Sequence, residues 1–86
     1  MLNRPGLDEI ITVVERIVSE QVLAKKVGIY LCHRYSGARL REIGERYGLS
    51  DAAITQASRR MKVACEHDET VRKLVAEVEE GLNVRS

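Results

Sequence analysis

The segment that most narrows what this chain can fold into is Leu40-Arg41-Glu42-Ile43-Gly44-Glu45-Arg46-Tyr47-Gly48-Leu49-Ser50-Asp51-Ala52-Ala53-Ile54-Thr55-Gln56-Ala57. Two short helices cross at roughly 90–120° over a three- to four-residue turn only if their contact is small and the turn tolerates an unusual backbone. Gly44 removes the side chain at such a contact, and Gly48 stands where the first helix must stop in a left-handed conformation that a Cβ makes costly. Leu49 places an apolar group beneath the turn. Ser50 or Asp51 can cap the next helix, because their side-chain oxygens accept from backbone N–H groups that lack a helical partner. Ile43, Tyr47, Leu49, Ile54 and Ala57 have the spacing that two crossed amphipathic helices bury between them. The segment therefore reads as a helix-turn-helix.

The 86 residues make one domain, 1–86, with the helix-turn-helix as its core at 39–62. That length holds one modest core and no roomy enzymatic cleft. No apolar run approaches the roughly 18 to 20 residues needed to cross a bilayer, and Met1-Leu2-Asn3-Arg4-Pro5-Gly6 lacks the apolar centre of a secretory signal. A cytoplasmic protein without a membrane partner is expected. Cys32 and Cys65 then read as small buried hydrophobes. Cys32-His33 and Cys65-x-His67 offer zinc-binding side chains, but adjacent helical residues point about 100° apart. Neither pair has the spacing of a structural zinc site, so no metal and no cofactor is expected.

Charge is laid out unevenly. Residues 1–24 carry Arg4 and Arg16 against Asp8, Glu9, Glu15 and Glu20, a net of −2. Residues 25–62 carry Lys25, Lys26, Arg34, Arg39, Arg41, Arg46, Arg59, Arg60 and Lys62 against Glu42, Glu45 and Asp51, a net of +6. Residues 63–86 carry Arg72, Lys73 and Arg85 against Glu66, Asp68, Glu69, Glu77, Glu79 and Glu80, a net of −3. A merely solvated helical face mixes its signs, whereas here the basic charge coincides with the helix-turn-helix.

The periodicity predicts an all-α, five-helix bundle, with helices at about 7–19, 22–35, 39–47, 51–66 and 69–81. Leu7, Ile10, Ile11, Val14, Ile17 and Val18 form the first apolar stripe, and Leu23, Val27, Tyr30 and Leu31 the second. The fourth helix turns Ile54, Ala57, Met61, Ala64 and Cys65 inward. Asp68 caps the last helix, Val71, Leu74, Val75 and Val78 form its stripe, and Gly81 stops it. There is no internal repeat, linker, low-complexity tract or strand-like alternation.

Such a domain lays its fourth helix in the major groove of duplex DNA while the third crosses the backbone. Thr55, Gln56 and Arg59 are then placed to reach base edges, Gln pairing with adenine and Arg with guanine, each worth about 1–3 kcal/mol of discrimination. Ala52 or Ala53 can contact a thymine methyl. Lys25, Lys26, Arg39, Arg41, Arg60 and Lys62 are the phosphate candidates, which fix register without reading sequence. A homodimer would double the contact area and require a two-fold symmetric site. Catalysis and a small-molecule substrate are not expected. His33 and His67 have no serine, cysteine or carboxylate at a fixed offset, the glycines are too dispersed for a phosphate loop, and Tyr30, Tyr35 and Tyr47 fit core packing.

From Lys25 to Leu82 the order of motifs resembles the C-terminal DNA-binding domain of the bacterial replication initiator DnaA. The matching residues are Ile29-Tyr30-Leu31-Cys32, Leu40-x-Glu42-Ile43-Gly44, Tyr47-Gly48, Ala57-x-Arg59-Arg60-Met61 and Asp68. The resemblance implies a Trp-repressor-like helical fold. A nearer likeness is to the DnaA-like tail of transposases associated with repetitive extragenic palindromes. The initiator's Gly-Gly-Arg-Asp-His-Thr-Thr is replaced by Gly48-Leu49-Ser50-Asp51-Ala52-Ala53, one residue shorter, so its target sequence and origin-firing role do not carry over. By position, Ser50, Asp51, Ala52, Ala53, Thr55 and Gln56 inherit the base-facing zone. There is neither an ATP-binding segment nor the His-hydrophobic-His metal motif of a transposase catalytic domain, which fits a free-standing module or a piece of a longer protein. The expected role is that of a nucleoid-associated regulator, or of the DNA-binding module of a transposase or replication-type protein. The alternative is a helical protein-interaction module that uses the apolar residues of the first or last helix.

Overall fold

Val27-Gly28-Ile29-Tyr30-Leu31-Cys32 is a run of six residues without a charge, longer than one helical turn, so a helix containing it has no side to give to water. The computed structural model, which describes residues 4–84, buries all six. They lie in α2 (Gln21–Tyr35), against which α1 (Leu7–Ile17), α3 (Leu40–Tyr47) and α4 (Asp51–His67) pack, while α5 (Glu69–Leu82) packs on α1 and α4. The expected five-helix, all-α bundle is the observed one, and among the described residues there is no strand. Met1, Leu2, Asn3 and Arg85, used above in the signal and charge arguments, lie outside the described residues.

The single stripe expected on α2 is corrected by this packing. Leu23 is only half-buried, whereas Gly28, Ile29 and Cys32 join Val27, Tyr30 and Leu31 in the interior. Ile10, Val13 and Val14 of α1, Ile43 of α3, Ile54 and Met61 of α4, and Val75, Val78 and Leu82 of α5 complete the core. Ala57, Ala64 and Cys65, expected to face inward, line its edge and are half-buried.

Helix ends follow local chemistry. The first helix stops at Ile17 rather than 19, because Val18 turns to an extended backbone while staying buried, its N–H closing on the Val14 carbonyl at 2.7 Å. The Glu20 carboxylate then accepts from the N–H groups of Val22 and Leu23 at 3.2 and 2.6 Å and starts α2 at Gln21 rather than 22. Arg39 is the N-cap of α3 rather than its first residue, and Glu42 accepts from the Arg39 N–H at 3.0 Å. The fourth helix runs to His67, one residue beyond 66. Asp68 caps α5 as expected, accepting from Thr70 and Val71 at 2.9 and 3.3 Å.

Gly81 does not stop α5. It is helical, and Asn83, left-handed at φ 60, ends the helix after Leu82. Gly81 is small for another reason: a Cβ there would press on Val13 and Ile17 at 3.0 and 3.4 Å, where α5 crosses α1.

Two contacts fix α3. Tyr47 lays its hydroxyl against Gly28, in the space a Cβ would need, and within reach of the Cys32 thiol. Burial pushes Cys32 up from its ordinary 9.0 to about 11, against opposing contributions from Tyr47 and Arg46, and burial also raises Tyr47 far above the usual tyrosine range. An Asp8–Arg46 ion pair ties α3 to the start of α1.

Substitution of Gly44, whose Cβ would strike the Leu49 carbonyl oxygen, is expected to cost about 1–3 kcal/mol in Gly44→Ala, read from urea unfolding. Gly6→Ala, with open space around it, is the control and is expected to fall within about 0.5 kcal/mol of the parent. Because the fold keeps Cys32 and Tyr47 protonated beyond the pH at which an unfolded chain releases those protons, stability is full below about pH 9. It declines as pH rises toward about 11. The urea midpoint of a Cys32→Ala, Tyr47→Phe variant is expected to depend less on pH across that interval, and an unchanged slope contradicts the assignment.

Candidate nucleic-acid interface

Gly48 ends α3 at φ 70 and ψ 35, a left-handed geometry that glycine adopts without Cβ strain. The Leu49 N–H then reaches back to the Gly44 carbonyl at 2.8 Å, and the Leu49 carbonyl lies where a Gly44 side chain would be. Three residues, Gly48-Leu49-Ser50, thus turn the chain from α3 into α4. The Ser50 hydroxyl accepts from the Ala53 N–H at 3.1 Å, so Ser50, not Asp51, is the N-cap and Asp51 is the first helical residue. An acidic residue in the first turn also suits the positive end of the helix dipole.

With Ile54, Ser58 and Met61 buried, helical geometry puts Ala52, Gln56, Arg59 and Val63 on the opposite stripe, and all four are exposed. Of the other candidate base readers, Ser50 and Asp51 are exposed at the helix start, while Ala53 and Thr55 are half-buried on its flanks. Val63 was not foreseen. It is 48% exposed, one of the large apolar side chains the fold leaves in water, and its offset of seven residues from Gln56 was the available signal.

All six phosphate candidates are exposed, yet they do not form one group. Lys26 and Arg60 flank a groove of about 260 Å³ whose other walls are Leu23, Ala57, Met61, Ala64 and Val71. Lys62 lies on the other flank of α4, beside Thr55 and Arg59. Lys25 points away from both, into a cleft formed with α1 and α3 that includes Glu15, Arg46 and Tyr47. Arg39 and Arg41 stand at the start of α3. Among the described residues the ion pairs are Asp8–Arg46 and Glu69–Lys73, and neither uses one of these six cations or Arg59. Arg46, part of the basic excess in the sequence, is thereby neutralised at the α1–α3 contact.

The structure also brings together two residues that sequence spacing kept apart. His33 Nδ1 and Ser58 Oγ meet at 2.9 Å across the α2–α4 crossing, and Ser58 is only 8% exposed. Beside them Arg34 donates to the Tyr30 hydroxyl at 3.3 Å and to the Tyr35 hydroxyl at 3.2 Å, and Tyr35 in turn donates to Glu79. The bond to Tyr35 raises Arg34 further above its ordinary range, so its charge is permanent. Burial raises both thiols, and Cys32 and Cys65 are unbridged. Among the described residues no three His, Cys, Asp or Glu side chains converge as metal ligands, and no helix is long and apolar enough to cross a membrane.

Removing the cap in Ser50→Ala is expected to cost about 1 kcal/mol and to speed amide exchange at Ala53 and Ile54. Ser50→Asp is expected to retain most of the stability. An unchanged urea midpoint in Ser50→Ala would show that the hydroxyl does not hold the helix start. Set beside family models, curated proteins and solved structures, the chain finds no match.

Proposed function

We propose that this chain binds double-stranded DNA and recognises sequence through α4, as a regulator or as the DNA-binding module of a transposase or replication-type protein in the nucleoid. One observation carries the reading: α4 follows a tight glycine turn and presents an exposed Ala52-Gln56-Arg59 stripe flanked by cations that no carboxylate neutralises. A helix held this way can enter the roughly 12 Å major groove, with Gln56 and Arg59 as base readers and Ala52 against a thymine methyl. Ser50 serves chiefly by holding the helix start, and Asp51 by complementing its dipole. Arg60, Lys62 and Lys26 beside α4, with Arg39 and Arg41 on α3, supply phosphate contacts. The likeness to the DnaA C-terminal domain and to the transposase tail agrees with this role, and enzymatic activity forms no part of it.

The protein-interaction alternative called on apolar residues of the first or last helix. Ile10, Val13, Val14, Val75, Val78 and Leu82 are buried, and Leu7, Ile11, Ile17, Val71 and Leu74 are half-buried against the core, which leaves that alternative only the edges of those apolar faces.

Selection from a random duplex pool is expected to return a defined site. Binding to it is expected to weaken with a log–log salt slope of about −4 to −5, for about five phosphate contacts. Arg59→Ala with Arg60→Ala is expected to abolish the interaction at moderate salt. Gln56→Ala is expected to relax discrimination at one base pair by about 1–3 kcal/mol. Salt-insensitive binding, or no enrichment of any sequence, contradicts the reading.

A further inference from the structure

The crossing of α2 over α4 borders an open recess of about 360 Å³ lined by Tyr30, His33, Arg34, Thr55, Ser58, Arg59 and Lys62. None of these residues is acidic. Three of them, Arg34, Arg59 and Lys62, bear basic side chains, and a fourth is a histidine. Glu79, the carboxylate that acts on Arg34, accepts from the Tyr35 hydroxyl and is not among the residues that line the recess.

The recess is built rather than merely charged. Ser58, a buried polar side chain, meets His33 at Nδ1, and when the Ser58 hydroxyl donates to Nδ1 the ring carries its N–H at Nε2, as a donor toward a ligand. The Tyr30 and Tyr35 hydroxyls engage two nitrogens of Arg34, whose guanidinium also lies 5.5 Å from the Tyr35 ring centroid. Both donors are fixed in advance, so a ligand would forfeit little side-chain entropy in meeting them. A planar guanidinium with an imidazole and a lysine beside it matches an oxyanion with several acceptor oxygens.

The geometry points to a phosphate seat at this crossing, with His33 and Arg34 of α2 and Lys62 of α4 as its donors. The seat adjoins Arg59, which belongs both to the recess and to the outer stripe of α4. A base reader and a phosphate contact one helical turn apart is the arrangement that sets a recognition helix in register. The occupant is therefore a backbone phosphodiester of the bound duplex, an assignment that rests on the DNA-binding reading above. It adds two residues of α2, His33 and Arg34, to the phosphate contacts expected from the sequence.

The test uses the full chain and its selected duplex. His33→Gln, Arg34→Gln and the double variant are compared with Lys73→Gln, a control on α5 paired with Glu69. Far-UV circular dichroism and thermal midpoints establish that each variant is folded. Arg34→Gln is expected to lower the magnitude of the log–log salt slope by about 1, by the same amount on duplexes of different sequence. His33→Gln is expected to weaken binding on every duplex alike. The second arm titrates inorganic phosphate into labelled parent and double variant while amide shifts at residues 30–34 and 55–62 are followed.

A reduced slope in Arg34→Gln, with the control unchanged, supports the duplex phosphodiester. An unchanged slope together with phosphate-dependent shifts that vanish in the double variant assigns the seat to free phosphate and overturns the duplex assignment. A parent that shifts with phosphate but binds no duplex overturns the DNA-binding reading and leaves the seat. The absence of both a slope change and a phosphate response overturns the proposal.

Discussion

Complete burial of the middle of α2 is the constraint on which the rest of this molecule depends. A helix whose six central residues all leave water must be surrounded, and in a chain this short α1, α3 and α4 commit their inner faces to it while α5 closes over α1 and α4. Each neighbour is seated by a specific concession of space. Gly28 accepts Tyr47 from α3, and Gly81 lets α5 close on Val13 and Ile17 of α1. On the α4 side, Ile54 and Met61 enter the core while Ser58 meets His33. The outer faces that remain are then fixed, and with them the places where charge can stand.

That arrangement sorts the charges by helix. Acidic residues of α1 and α5 sit on the two helices whose apolar faces pack together. Among the described residues, the exposed cations outside an ion pair are densest on α4, with Arg59, Arg60 and Lys62, on α2, with Lys25, Lys26 and Arg34, and at the start of α3, whereas α1 and α5 carry Arg16 and Arg72. Gly44 and Gly48 set the angle at which α4 leaves α3, since the turn backbone occupies the space above Gly44 and Gly48 is left-handed. The link from sequence to proposed function therefore runs through sterics first. Two glycines allow the turn, the turn aims the helix, and the helix carries Gln56 and Arg59 outward.

Much of this was legible because it is local. Leu40 to Ala57 held the turn glycines, the cap and the inward positions within eighteen residues, and Ile43, Gly44, Gly48 and Ile54 behave as the pattern requires. Features that depend on packing were not legible. Gly81 reads as a helix stop in sequence, but its smallness serves a contact with residues more than sixty positions away, and Asn83 takes the left-handed cap. The stripe read on α2 failed because a helix surrounded on all sides has no stripe to find, although the charge-free run of 27–32 was visible. His33 and Ser58 are twenty-five residues apart and meet only through the crossing of α2 and α4. Lys25 and Lys26, adjacent in sequence, open toward different sides of the molecule because neighbouring helical residues diverge by about 100°.

In the proposed function, the outer stripe of α4 is the surface that meets duplex DNA. Amide chemical-shift mapping of the full chain against a selected duplex tests it directly. The largest shifts are expected at residues 50–62, smaller ones at the start of α3 and the end of α2, and none along α1 or α5. Shifts concentrated on α1 and α5 with α4 unchanged would contradict it.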